Sequence, residues 1–444
     1  MTVARRPAMA IACAAGSVAL LALQRALLET AARLQSPVDL FFDPKRPVTA
    51  DVVRALPYHV VDAVFAPPAW VHAGLIAAGV LQTLVLYALY RALRDREVAL
   101  GERIALAVVA AAMIAVALDV RAVNGFDTLA DVGYAKLGLA QAYAPPATPF
   151  GANFGLISTV WGVPMPPASL GPGWIALSSA IAGRAASLGG AIFALRGLEV
   201  VALAGLLALL ARRGADAAGL ALVAFNPALY FAYVVNAHGD LLAAVLLIAA
   251  IVTAAALPLV AVLLVACAGL VKLPLVLLAP LVFTGRAALR TRLAYAAVAI
   301  ALAVAASLLL GGRVYAVLTV AQLHAVFVPV DRAGAVATAV RCGLLIVAAF
   351  ALTNVFLRGV VRRAAAWSFV ALSPLIAPAA LAWTLPYAVL ARPALTELLI
   401  LLPIAAALLD VSFPRAGLGV LATAAMLAYA TVDAVRRRAL AVDG

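Results

Sequence analysis

The chain has 444 residues, of which 67% are hydrophobic and 11% charged, and its mean hydropathy is +1.12. No water-soluble fold hides that much apolar surface, so a soluble globular enzyme is excluded and a polytopic membrane protein is expected. The formal net charge of +13 is scattered in short clusters at the ends of apolar runs, which is the pattern of topogenic charge and excludes a nucleic-acid-binding patch.

Membrane strands would show as alternating segments of roughly ten residues, whereas the apolar runs here last about 15 to 25 residues and are rich in Ala and Leu. The expected fold class is therefore all-α: one polytopic integral membrane domain of about 12 to 14 transmembrane helices with long external loops. The basic "ARR" near the N-terminus predicts that end inside, with a first helix near residues 8–34 acting as a signal anchor. A polar, Pro-rich external loop follows. A second helix at about 69–90 returns to the basic "RALRDREVALGER", and a third at about 104–122 crosses outward and completes the N-terminal helices, 8–122. Residues 123–172 are expected to form the longest non-helical stretch, an external loop of the kind that carries function.

Residues 173–435 read as a helical bundle. Helices are predicted at about 188–211, ending in the inside "ARRG", then at 216–235 and 241–256, with "NAHGD" outside between them. The apolar run from Pro258 to Phe283 would, as one helix, put the basic "RAALRTR" outside. A break at "KLP" keeps those residues inside and sets Lys272 toward the external face. A helix at about 293–311 leads to an external stretch, "GGRVYAVLTVAQLHAVFVPVDRAGA". Beyond it come a helix at about 340–357, Pro-interrupted spans around "SPLIAPAALAWTLPYAVLAR", two further spans, and a cytoplasmic tail, 436–444. Cys13, Cys267 and Cys342 lie far apart, offer no CxxC and read as small core residues.

The outside segments hold most of the Pro, Asp, His and Tyr found between the spans, so the site is expected on the outer face. In the long loop, Asp127 and Asp131 are the only carboxylates, with Tyr134, Lys136 and Tyr143 nearby. They either solvate the loop and cap a short helix beginning near Ala130, or belong to a site. Asn236, His238 and Asp240, in "YVVNAHGDLLAAV", either cap the helices around them or line that site. Lys272 is an ionisable residue inside an apolar run. It either snorkels to the interface or, as a lone ammonium at a helix break, meets an anionic ligand such as a phosphate. Gln322 and His324, in "VAQLHAVF", and Trp383, in "AWTLPY", are further candidates. The Gly-rich pieces lack the strand–turn–helix context of a nucleotide-binding loop.

Taken in order, these segments resemble the polyprenyl-phosphate-sugar-dependent glycosyltransferases of the GT-C superfamily, above all the bacterial polyprenol-phosphate-mannose α-mannosyltransferases. "DVGYAKLGLAQAY", with Asp131, Tyr134 and Tyr143, resembles a D-x-x-x-Y loop in which Asp and the first Tyr stand one position closer together here. "PPASLGPGW" echoes a Gly-Pro-x-Trp element through Gly171, Pro172 and Trp174. "NPALYFAYVVNAHGD" follows an N-P…G-N-x-H-N-D element at Asn226, Pro227, Asn236, His238 and Asp240. "VKLPLVLLAPLVF" is similar to the family's Lys-containing broken span, and "PLIAPAALAWTLPYAVL" to its Trp- and Pro-bearing segment. The likeness covers roughly residues 125 to 390 and rests on the order and spacing of the motifs. Departures from the pattern include Gly239, where Asn is usual, Gln141-Ala142, where Asn-Pro is usual, and Leu170, where Tyr precedes Gly-Pro.

The resemblance implies an inverting transfer on the extracytoplasmic face of a bacterial plasma membrane, from a polyprenyl-phosphate sugar donor to a glycan or lipid acceptor. It calls for no cofactor, assigns no metal-binding residue, and involves membrane lipids but no nucleic acid. Asp131 would be the base and Lys272 the partner of the donor phosphate, with Tyr134, Asn236, His238, Asp240, His324 and Trp383 binding substrate. The family's Asp lies in its first external loop, which leaves Asp127 and Asp39, Asp43, Asp51 and Asp62 of the first loop here as alternative bases. The competing expectation is a multi-pass transporter or flippase of a lipid-linked or anionic substrate, because broken helices and a mid-span Lys also suit carriers.

Overall fold

The computed structural model describes residues 6–34, 69–94, 96–120, 125–145, 167–283 and 287–327, with 385–386 and 389–390. Among them there is no strand. The long helix α1 (Arg6–Leu34) packs against both α2 (Ala69–Leu93) and α3 (Leu100–Leu118). Two shorter helices follow, α4 (Gly125–Ala142) and α5 (Pro172–Ala182), and lie against each other. Then come α6 (Leu188–Arg212), α7 (Ala217–Ala224) and α8 (Pro227–Leu229), the last running into a π-helical turn, Tyr230–Val235. Helix α9 (Asp240–Thr253) packs on α6 and on α10 (Pro258–Val271). A 3₁₀ segment, Leu273–Leu278, and α11 (Ala279–Val282) precede α12 (Leu289–Phe327), which lies along α10.

Local chemistry sets several of these boundaries. Ser187 caps α6 by accepting a hydrogen bond from the Gly190 N–H, and Asp216 caps α7 through the Gly219 N–H. Asn226 does the same for the Ala228 N–H, with Pro227 at the first helical position, where its missing N–H would be unpaired in any case. "NP" therefore starts a helix after a break, and the single helix expected over 216–235 is three pieces.

Among the described residues, six helices are long and apolar enough to cross a membrane. Large apolar side chains such as Leu100, Val108, Val201 and Leu309 stand on their outward faces, a surface suited to hydrocarbon and costly in water. The segment Ala217–Val235 is the exception, buried along nearly its whole length, with Phe225, Tyr230 and Tyr233 at its heart.

Three expectations change. Residues 125–142 are helical, with a break in helical geometry at Gly138 (φ 69°), so Asp131 sits on a helix and not in a loop. The stretch expected to turn external after residue 311 instead continues as helix to Phe327 past a non-helical Gly312 (φ 64°). In both places glycine takes up a positive φ that interrupts a helix, and the chain resumes it. Cys267 is exposed: the buried side of α10 runs through Ala261, Val262, Val265, Ala266, Ala268 and Gly269, and residue 267 falls outside that stripe. The break at "KLP" is present, with α10 ending at Val271 and the 3₁₀ turn starting at Leu273. The spans expected beyond residue 327, and Cys342, lie outside the described residues.

Candidate functional site

The turn at residues 236–239 reverses the chain between the π-helical turn and α9 at one end of the bundle, and distant segments hold it. From α6, the buried Arg196 donates through Nε and Nη2 to the Val235 carbonyl at 3.0 and 2.8 Å, and through Nη1 to the Leu118 carbonyl at 2.7 Å. The ends of α3 and of the π-helical turn are thus tied to the start of α6, with carbonyls that a helix C-terminus leaves unpaired satisfied by one guanidinium. From α4, the Thr128 hydroxyl donates to the Asn236 carbonyl at 2.8 Å. Between these anchors Ala237 adopts φ 57°, a left-handed conformation that a non-glycine residue keeps only where its surroundings impose it.

Gly239 has a steric reason. A Cβ there would lie 2.5 Å from Trp174 Cε3 and 2.6 Å from Cδ2, so the indole occupies the space an Asn side chain would need. Trp174 is itself delivered by Gly171, whose own Cβ would come within 2.2 Å of the Leu270 carbonyl and 2.3 Å of that of Val271. The start of α5 therefore lies directly on the end of α10, one residue before Lys272. The Tyr143 hydroxyl donates to the Leu170 carbonyl at 2.8 Å, closing the same assembly from α4.

Into this frame project the ionisable groups. Asp131 of α4 is 2% exposed, and its Oδ2 lies 3.9 Å from His238 Nδ1, whose side chain is 17% exposed. Asp240, in the first turn of α9, accepts a hydrogen bond from Lys272 Nζ at 2.8 Å. The pair joins the segments before and after the break across 32 positions of sequence. Lys272 is therefore not the lone ammonium expected. Nor is Asp240 a cap: Gly239 holds that position and makes no side-chain capping bond. Tyr134, buried on α4, donates to the Pro167 carbonyl at 3.4 Å. Burial first, and then the Asp131 charge, push its phenol well above the usual tyrosine range, so it is a donor at any physiological pH. Lys136 points elsewhere, its ammonium donating to the Gly183 and Ala185 carbonyls after α5.

One residue that sequence reasoning missed belongs to this cluster. Glu199, fully buried on α6, lies close enough to Asp240 and Asp131 for their charges to act on it, and neither of its carboxyl oxygens has a hydrogen-bond partner among the described residues. The signal was present in "LRGLEVVALAG": Arg196 and Glu199 are ionisable residues three apart inside an apolar 25-residue helix, and such residues face partners rather than lipid.

Asp131, Tyr134, Asn236, His238, Asp240 and Lys272 thus come together. His324 lies on α12, but its side chain, like all of Trp383, Asp39, Asp43, Asp51 and Asp62 and the side chain of Asp127, falls outside the described residues. Among the described residues no group of three or more His, Cys, Asp or Glu could hold a metal ion. Comparison of the chain with protein-family models, curated proteins and solved structures returns no match.

Proposed function

We propose that the chain is a membrane glycosyltransferase that moves a sugar, mannose-like, from a polyprenyl phosphate to a glycan or lipid acceptor on the extracytoplasmic side, with inversion. The observation that carries this reading is the meeting of Asp131, His238, Asp240 and Lys272 at one end of an apolar bundle, delivered by α4, the 236–239 turn, α9 and the break after α10. An inverting transfer needs a base for the acceptor hydroxyl and a cation near the leaving phosphate. Asp131 supplies the carboxylate of the first part. Lys272, about a third exposed, supplies the second, with the donor phosphate competing against Asp240 for its ammonium.

Membranes carrying the protein, given radiolabelled polyprenyl phosphate hexoses, are expected to move label into a glycan or lipid fraction. Asp131→Ala is expected to reduce that transfer by at least a hundredfold. Unchanged transfer in the variant removes Asp131 from the chemistry.

A second reading, a carrier for a lipid-linked or anionic substrate, draws on Glu199. A fully buried carboxyl beside two other carboxylates is the kind of group that carriers use to couple protons to movement. Substrate flux across proteoliposomes without any transfer of sugar supports that reading over the first.

A further inference from the structure

Asp131 is almost completely covered, whereas His238, its neighbour, is partly open. A carboxylate in that position does not reach an acceptor hydroxyl without rearrangement, but an imidazole standing over it does. Resting on the transferase reading, we propose that His238 is the group that takes the acceptor's proton and that Asp131 is its positioning residue. The geometry of the pair carries this. Nδ1 is the nitrogen turned to the Asp131 carboxylate, at 3.9 Å; that is longer than a hydrogen bond, and closing by about 1 Å would hold the proton of the neutral ring on Nδ1 and leave the lone pair on Nε2.

The backbone is built to hold that ring. His238 follows the left-handed Ala237 and precedes Gly239, pressed against Trp174. The two carbonyls before Ala237 are fastened by Arg196 and Thr128, and the His238 carbonyl itself accepts from the Asp240 N–H at 2.8 Å. A turn that only reversed the chain would need none of the strain at Ala237, which the surrounding bonds maintain.

The step balances as follows. The acceptor oxygen forms its bond to the anomeric carbon while the bond from that carbon to the phosphate oxygen breaks, its electron pair leaving with the polyprenyl phosphate. The acceptor O–H bond breaks and its proton goes to the lone pair of His238 Nε2. The resulting imidazolium is stabilised by the Asp131 carboxylate on its other side, and the proton then passes to water.

The test has two arms on the full chain in lipid nanodiscs. In protein labelled with ¹⁵N-histidine and assigned through His238→Gln, the neutral His238 ring is expected to carry its proton on Nδ1, and Asp131→Asn to shift the population toward the Nε2–H form. A predominant Nε2–H form in the unaltered protein overturns the pairing. In the transfer assay, His238→Gln is expected to lose at least a hundredfold and Asp131→Glu to recover much of what Asp131→Asn loses. Transfer by His238→Gln within threefold of the unaltered protein overturns the role of His238. If the unaltered protein transfers none of the hexoses, the transferase reading falls and the role of His238 in transfer with it. The tautomer, read without substrate, decides the pair independently.

Discussion

The connection from α2 to α3 and the connection into α9 both reverse the chain between apolar helices, but their polar groups find partners at different distances. After α2, Arg96 donates through Nε to the Ala92 carbonyl at 2.7 Å and pairs with Glu102 through Nη1 and Nη2, and Arg103 donates to the Val98 carbonyl at 2.9 Å. Each of these partners is within six positions. The turn before α9 is held by Arg196, 39 positions from Val235, by Thr128, 108 positions from Asn236, and by the Trp174 ring against Gly239. A turn satisfied by its own neighbours only changes direction. One clamped from three other helices holds His238 and Asp240 in a defined place, which is what a site requires.

Arg196→Leu should break the second turn most severely. It strips the donors from the buried Val235 carbonyl and the part-buried Leu118 carbonyl, at about 1–3 kcal/mol for each buried unsatisfied group and less for the half-covered one, so a loss near 3 kcal/mol is expected in thermal or denaturant unfolding in detergent. Arg103→Leu, the matching change at the first turn, should cost less than about 1 kcal/mol. Equal losses from the two would erase the contrast.

Gly239→Ala comes next. Its methyl meets the Trp174 ring, and a destabilisation of about 2 kcal/mol is expected from overpacking. Gly101→Ala, at the start of α3 with nothing within 4 Å of the new methyl, should stabilise by about 0.5–1 kcal/mol. A neutral Gly239→Ala, read by the same melts, would mean that Trp174 gives way easily and that an Asn would fit.

Lys272→Met removes the ammonium that donates to the Asp240 carboxylate, which is 12% exposed. Breaking a fully buried pair costs about 3–5 kcal/mol, and the one-third exposure of Lys272 lowers the expectation to about 1–2 kcal/mol. Adding Asp240→Asn should recover part of that loss, and a double-mutant cycle that sums without coupling shows the pair to be worth nothing. The smallest effect sharpens the same contrast: three residues inserted after the exposed Glu97 should change stability by less than about 1 kcal/mol. The same insertion after Ala237 should be far more disruptive, as comparative melts would show.

Much of this arrangement is legible in the residues alone, and the reason differs from element to element. Helix type and the places of α1, α2, α3 and α6 follow from runs of apolar side chains, because burying or lipid-facing such a run requires every backbone group to be satisfied within the segment. The break before Lys272 follows from Pro274 and the charge of "RAALRTR". Asp131 on a helix was not legible, because "FDTLADVGYAKLG" carries polar and small residues that read as loop. Its helix depends on packing with α5 and on the Thr128 bond to the 236–239 turn, both contacts with residues far along the chain. Glu199 was legible as an ionisable residue in an apolar helix but not as a neighbour of Asp131 and Asp240.

An all-α chain with helices fit for a membrane and polar residues gathered between them is thus a matter of local composition and period. Which of those residues meet is not: the pairing of Asp131 with His238, of Asp240 with Lys272, and of Gly239 with Trp174 joins segments 32 to 107 positions apart, 240 to 272 and 131 to 238 by subtraction, with 174 to 239 between them. Such contacts depend on how ridges and gaps on different helices fit once the chain has packed, and no period within one segment encodes that fit.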